Sequence, residues 1–278
     1  MYNMDDLKFS VSMCVYGKDD PDHFNTAVDS ILNQTRKPDE VVLVVDGPVP
    51  EKLDDVIKKF ENPNFFKVIR LEKNQGHGNA RRIGLDACSN ELVALMDADD
   101  ISLPFRFEKQ IQMFCENPEL AVVGGNITEF IDTQDNIVAA RIVPQNDREI
   151  KKYLKKRCPF NQVTVMCRKS QITEAGGYID WYCNEDYYLW LRLFLNNAKF
   201  ANVQDFLVNV RVGKEMYKRR GGWKYFKSEV KLQKFMFDKK IISCFDFIFN
   251  VSVRLIVQVL MPNGLRGWFF KKLAREKA

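Results

Sequence analysis

Five consecutive apolar residues, Val41 to Val45, constrain this chain more than any other segment. A strand with one wet face alternates apolar and polar residues. An unbroken run of this length instead suits a strand buried on both faces, as in a parallel sheet covered by helices. The run stops at the turn Asp46-Gly47-Pro48, and its neighbours fit the same architecture. Residues 9–15 read as a strand. Residues 23–33 read as a helix, with Phe24, Ala27, Val28, Ile31 and Leu32 on one face. A helix over 51–60 and a strand over 67–71 follow. The glycine-punctuated turn Asn74-Gln75-Gly76-His77-Gly78 then leads to a helix over 80–87 and an apolar strand, Leu92 to Met96. The order β-α-β-α-β-α-β predicts an α/β fold, a mostly parallel sheet with helices on both faces.

The second half is more varied. A helix is expected over 104–115 with proline in its first turn. A strand is expected at 120–123, and a hairpin from 127–131 and 137–142 around Thr133-Gln134-Asp135-Asn136. A short basic helix over 147–156 and a strand over 163–167 come next, and Gly176-Gly177 precedes a helix starting at Asn184-Glu185-Asp186. From Phe245 to Leu260 nearly every residue is apolar except Asp246, Asn250, Arg254 and Gln258, spaced every four residues. On a helix these form one polar stripe. Such a helix is ~24 Å long at ~1.5 Å per residue, short of a ~30 Å hydrocarbon core, so it is not expected to span a membrane. It either packs on the body or lies in a membrane interface.

Composition narrows the chemistry. Seven cysteines without a Cys-x-x-Cys pair argue for reduced thiols, and against a disulfide framework or a thiolate zinc site. With only His23 and His77 present, catalysis is expected to rest on carboxylates. The opening Met1-Tyr2-Asn3-Met4-Asp5-Asp6 has no basic or apolar leader, so no secretory signal is expected. The net charge of +5 hides an asymmetry: residues 211–278 hold 17 lysines and arginines against 5 acidic residues. A basic module on a mildly acidic body points to an anionic partner, either a membrane surface or a polyanion.

The loops after the first four strands should share one edge. They supply Tyr16, then Asp46, then Gly76 to Arg82, then Asp97-Ala98-Asp99-Asp100. An aromatic ring, an acceptor, a cationic turn and clustered carboxylates would suit a base, a ribose, a diphosphate and a divalent metal. Arg81 or Arg82 can pair with phosphate oxygens. Asp99 can hold Mg²⁺ or Mn²⁺. The alternative for the acidic cluster is a polar turn capping the next helix. Neither a Walker lysine motif nor a G-x-G-x-x-G appears in these loops. An acceptor hydroxyl needs a base, and Asp186 is the candidate; it could instead cap its helix. Trp181 and Tyr182 could stack on a sugar ring or simply pack.

Val11 to Tyr16, Ser30 to Thr35, Asp46-Gly47, Asn74 to Leu85, Asp97 to Asp100, Pro104-x-Arg106 and Glu185-Asp186 through Arg192 resemble family 2 glycosyltransferases, over residues 8 to 212 and in the right order. The segment from Arg211 to Gly222 resembles the subgroup of exopolysaccharide and capsule assembly, including the amylovoran type. The resemblance implies an A-type glycosyltransferase fold with a C-terminal helical extension. Residues 1–100 would bind the nucleotide sugar, 101–212 the acceptor, and 213–278 would form a basic amphipathic tail. It also implies a nucleoside-diphospho-sugar donor such as a UDP-sugar, Mn²⁺ or Mg²⁺, and inversion at the anomeric carbon. Val15, Tyr16, Asp46, Gly76, Arg81, Asp97 and Ala98 would then bind the donor, with Asp46 on uracil. Asp99 with Asp97 would hold the metal and Asp186 would be the base. Glu185, Trp181, Lys214 and Tyr217 would contact acceptor or diphosphate. The expected partners are a lipid-linked oligosaccharide and an anionic membrane surface, not nucleic acid, at the inner face of the plasma membrane. Arg82 departs from the family, which often has asparagine there, and leaves open which arginine faces phosphate. Asp97-x-Asp99 after an apolar strand also resembles the nucleophile motif of haloacid-dehalogenase phosphohydrolases, but that family places it on the first strand. A third reading is a module that binds nucleotide sugar without turnover.

Overall fold

The computed structural model describes residues 4–213 and 221–262. Its first four strands are β1 (Phe9–Val15), β2 (Glu40–Val45), β3 (Phe66–Arg70) and β4 (Leu92–Met96). They lie in the order β3-β2-β1-β4, all parallel. The intervening helices are α1 (Pro21–Leu32), α2 (Glu51–Phe60) and α3 (His77–Ala87). The Val41–Val45 run feeds two cores. Val41, Leu43 and Val45 join a cluster with Phe24, Ile31, Leu53 and Ile57 of α1 and α2. Val42 joins another with Leu85 of α3, across the sheet. Such double burial is what an uninterrupted apolar run requires.

Chain order reverses at β1: β2 and β3 lie on one side of it and β4 on the other. The carboxyl ends of β1 and β4 therefore form a topological switch point, where open α/β sheets bind ligands. Three strands precede β4, the strand that ends in the Asp97-x-Asp99 motif, which sets it apart from the phosphohydrolase arrangement.

Beyond β4 the sheet becomes mixed, through β5 (Ile101–Ser102), β6 (Leu120–Phe130), β7 (Ile137–Arg141), β8 (Met166–Arg168) and β9 (Lys199–Arg211). The full path is β3-β2-β1-β4-β8-β6-β9-β5, with β7 paired to β6. The sequence pattern predicted two strands where β6 is one. Gly124-Gly125 breaks the apolar pattern without ending the strand, because a Cβ on Gly125 would sit 2.4 Å from Leu207 Cδ1. The hairpin around 133–136 is present as β6–β7. The expected strand at 163–167 opens in a 3-10 turn, Gln162–Thr164, and continues as β8 from Met166, antiparallel to both β4 and β6. β9 went unpredicted, since Asn202, Gln204, Asp205 and Asn209 interrupt its apolar pattern. It runs parallel to β6, and its far end pairs with β5. The remaining helices are α4 (Arg106–Glu116), α5 (Asp147–Leu154), α6 (Lys169–Glu174), α7 (Glu185–Leu195), α8 (Trp223–Asp238) and α9 (Cys244–Leu255).

α9 opens with a capping box between Ser243 and Asp246 and continues into a π-helical turn, Ile256–Leu260. Its polar stripe faces inward. Asn250 Nδ2 donates to Gln233 Oε1 at 2.9 Å, and Arg254 Nε to Glu229 Oε2 at 2.5 Å, both on α8. Among the described residues no helix is long and apolar enough to cross a membrane. The candidate residues Lys214 and Tyr217, and the aromatic-basic segment Trp268 to Lys272, lie outside the described residues.

The opposite end of the parallel strands is tied by Glu40, at the start of β2. Its carboxylate accepts from Ser10 Oγ and Lys67 Nζ, each at 2.5 Å, from Ser89 N at 2.7 Å and from Ser89 Oγ at 2.8 Å. Burial alone would raise its pKa; these bonds outweigh burial and hold it down to about 2. A carboxylate held this way stabilises the fold at neutral pH and loses that contribution as pH falls toward its folded pKa. Glu40→Gln should therefore cost about 1–3 kcal/mol in urea unfolding at pH 7, with the difference shrinking below pH ~4.5. A difference that is flat with pH would contradict this account.

Candidate active site

The functional edge starts with two loops made into one. Asp46, buried past the end of β2, accepts from Gln75 N at 2.7 Å and Gly76 N at 3.1 Å. Its carbonyl accepts from Asn74 Nδ2 at 3.1 Å. Gly47 has φ +88°, and a Cβ there would lie 2.6 Å from Asn74 N, so only glycine lets the loops touch. Each Asp46 oxygen still has a lone pair for a further donor, such as a base N–H. Tyr16, just past buried Val15, leaves its ring partly open to solvent, while its N–H donates to Asp19 Oδ2 at 2.9 Å.

Arg81 reaches the switch point from α3. It is buried, and its Nη2 lies 2.6 Å from Asp97 Oδ1. Burial would raise the pKa of Asp97, but the Arg81 charge holds it below the usual carboxylate range. Arg82 is exposed, so Arg81 is the arginine that faces inward. Its guanidinium is already engaged with a carboxylate. Arg106, at the start of α4, is fully buried and donates from Nη2 to the Leu95 carbonyl at 2.7 Å, fixing the end of β4.

The remaining carboxylates repel one another. Partial burial, then Asp97, push Asp99 upward; burial, then Asp99, push Asp100 well above its usual value. Asp100 Oδ1 accepts from Arg211 N at 2.8 Å, and Arg211 Nε donates to the Asp99 carbonyl at 3.2 Å, so the end of β9 clamps the loop. Asp19 is pushed up to about 6, by burial and then by Asp99 and Asp97. Sequence reasoning missed Asp19. The signal was there, a carboxylate three residues after Tyr16 in a loop on the same edge. An all-oxygen donor set with unrelieved negative charge fits Mg²⁺ or Mn²⁺. Among the described residues no three acidic, histidine or cysteine side chains form a ready-made cage. Asp99 and Asp97 are the residues that could contribute to holding such a cation.

Glu185 and Asp186 open α7, whose first turn is anchored by buried Tyr187, its hydroxyl donating to the Leu154 carbonyl at 2.5 Å. Further along, buried Trp190 packs edge-on against Phe160. Glu185 senses Arg81 and Asp97, and burial and Asp186 push it up to about 7. Asp186 Oδ1 accepts from Tyr187 N at 2.6 Å, which is part of a helix-terminal bond. Its Oδ2 lies 3.9 Å from Cys158 Sγ. Asp186 lines a cavity of about 490 Å³ that extends from Asp97 and Asp100 to Val253, Arg254, Val257 and Gln258. Gln258 is buried there, and its Oε1 has no hydrogen-bond partner among the described residues. Trp181 does not line this cavity; it packs on Tyr188 at 4.4 Å, with Lys231 of α8 over its ring.

The structure therefore joins Tyr16, Asp46, Gly76, Arg81 and Asp97 to Asp100 along one edge, with Glu185 and Asp186 bordering it. A parallel half-sheet with a carboxylate loop at its switch point, facing a carboxylate at a helix start, is the layout of an A-type glycosyltransferase. The chain belongs to glycosyltransferase family 2: residues 10–175 match the family described as Glycosyl transferase family 2. It is 38% identical over 272 residues to the UDP-Gal:alpha-D-GlcNAc-diphosphoundecaprenol beta-1,3-galactosyltransferase of Escherichia coli, covering 98% of each chain. It is 38% identical over 264 residues to the amylovoran biosynthesis glycosyltransferase AmsE of Erwinia amylovora, covering 95% of this chain and 98% of that one. Among solved structures it resembles S. aureus TarS 1-349 in complex with UDP-GlcNAc, with TM-score 0.61 and 17% identity, over 94% of this chain and 69% of that one. That likeness shows the shared fold.

If the acidic loop holds a cation against phosphates, Asp99→Ala should weaken calorimetric binding of UDP with Mn²⁺ by at least ~10-fold, the scale seen when metal sites lose supporting groups. Unchanged affinity would remove Asp99 from the metal site.

Proposed function

We propose that this glycosyltransferase moves a sugar from a UDP-sugar to a lipid-linked saccharide, with inversion at the anomeric carbon and with Mn²⁺ or Mg²⁺. The observation that carries this reading is that Asp186 lines one cavity together with Asp97 and Asp100 of the acidic loop, and that this cavity is large enough for a saccharide.

In this reading residues 1–100 hold the donor, 101–212 supply the base and acceptor surface, and 213–278 face the membrane. The Tyr16 ring lies against uracil, and Asp46 accepts from the base N–H with its remaining lone pairs. Asp97 and Asp99 would hold the divalent cation, which supplies charge neutralisation for the departing diphosphate. Arg81 positions Asp97 and adds positive charge near the phosphates. Asp186 takes the proton from an acceptor hydroxyl as that oxygen bonds to the anomeric carbon. The bond from that carbon to the diphosphate breaks on the opposite face, and its electron pair leaves with UDP. A lipid-linked acceptor, and a place at the cytoplasmic face of a membrane in exopolysaccharide assembly, draw support from the names of the Escherichia coli and Erwinia relatives. A pure binding module would have no use for a carboxylate placed as Asp186 is.

Asp186→Asn keeps the side-chain shape and the bond from Tyr187 N. It should leave UDP affinity within about twofold and lower sugar transfer by at least ~10²-fold, the lower end for lost general-base catalysis. NMR of the product should show an inverted anomeric centre. A folded variant with near wild-type turnover, or a retained configuration, would overturn the reading.

A further inference from the structure

Helix α9 is inside out for a protein in water. Its inward face is polar: Asn250 is 7% exposed and Gln258 6%. Its outward face is apolar: Phe245 is 78% exposed, Phe249 58% and Leu260 67%, with Ile248, Val253 and Ile256 also exposed. These six recur along one face from α9 into the π turn, with exposed Ser252 among them, so they form a mostly apolar ridge rather than scattered apolar residues. Phe245 and Phe249 stack, with centroids 6.4 Å apart, and exposed Phe237 of α8 reaches Phe247 at 5.6 Å. The polar face cannot turn outward without breaking the Asn250–Gln233 and Arg254–Glu229 bonds. The ridge is thus held in place by the packing beneath it.

We propose that this ridge is a lipid-insertion surface, through which the enzyme sits on an anionic bilayer. The inference rests on the lipid-linked acceptor of the preceding reading and adds the surface that meets the lipid. Charge selects this occupant. Lys155 and Lys156 are exposed beside α9, where Asn250 Nδ2 donates to the Lys155 carbonyl and Arg254 Nη2 to the Lys156 carbonyl. Lys239 and Lys240 are exposed in the turn that leads into α9. Lys239 and Lys240 stand at the start of the apolar ridge, and Lys155 and Lys156 on the flank of the inward face. Asp238 and Asp246 are the acidic groups among them, and Asp238 is already paired with Lys234. An apolar ridge beside such lysines matches acyl chains under anionic headgroups. A second copy of the chain would bring the same lysines against these. The cavity supplies a further link. Val253 lies on the ridge and also lines the cavity that contains Asp186, and Val257 and Gln258 line it from the adjoining π turn. The membrane-facing element is therefore one wall of the cavity where the acceptor would react. A headgroup could enter it while its lipid chain stays in the bilayer.

The test is flotation of the full-length protein with vesicles of phosphatidylglycerol and phosphatidylethanolamine. Each variant is also measured for UDP binding with Mn²⁺ and for size in solution. The wild type should float with the vesicles. Phe245→Ser/Phe249→Ser/Ile256→Ser should lower the partition coefficient at least tenfold with UDP affinity unchanged. Lys239→Glu/Lys240→Glu should weaken binding mainly at low salt, because only the charged part is screened. A wild type that binds UDP but stays with the soluble fraction overturns the insertion surface and leaves the proposed function standing. So does a triple variant that floats like the wild type, or one that instead converts a dimer to monomer. A wild type that floats but neither binds UDP nor transfers sugar supports the surface and overturns the proposed function.

Discussion

The ion pair between buried Arg81 and half-buried Asp97 sets the electrostatics of the functional edge. Arg81 comes from α3 and Asp97 from the end of β4, so the pair closes the switch point where the strand order reverses. It lowers one carboxylate and leaves Asp19, Asp99 and Asp100 raised. The edge therefore holds one carboxylate that Arg81 holds down and three that burial and mutual repulsion push up. Removing Asp97 would leave the Arg81 guanidinium buried without its carboxylate partner. The surrounding structure keeps the pair in register: Arg106 fixes the β4 end from behind, and Arg211 clamps the loop beyond it.

A second constraint positions two adjacent carboxylates. Tyr187 anchors the first turn of α7 by its hydroxyl, and Trp190 fills the core one turn later. With the helix so fixed, Glu185 is left in the field of Arg81 and Asp97 while Asp186 lines the cavity. Packing that involves no substrate thus sets where both carboxylates stand.

The parallel half was legible in the sequence because its signals are local. The Val41–Val45 run, the helical faces and the glycine turns each specify an element within a few residues, and the loops after β1, β2 and β4 follow from topology. The rest depends on contacts distant in sequence. β9 carries asparagine and glutamine at positions that pair or bond with far segments, as where Asn202 Nδ2 donates to the Pro144 carbonyl at 2.6 Å. Asp19 became a site residue only when β1 and β4 were placed side by side. The stripe of Asp246, Asn250, Arg254 and Gln258 was visible, but which way it faced was not. Its partners, Glu229 and Gln233, lie on another helix, and packing on the body proved compatible with an exposed apolar face. Trp181 had an aromatic side chain near the base and nothing local to show that α8 would cover it.

These parts meet in one geometric claim: donor and base lie on opposite sides of the anomeric carbon, with the diphosphate on the side of the acidic loop. The most direct measurement is a crystal structure with UDP and Mn²⁺ bound. The account predicts uracil between Tyr16 and Asp46, the metal against Asp99, and the Asp186 carboxylate across open space from the terminal phosphate. UDP bound away from the β1–β4 switch point, or Asp186 on the diphosphate side of that space, would contradict it.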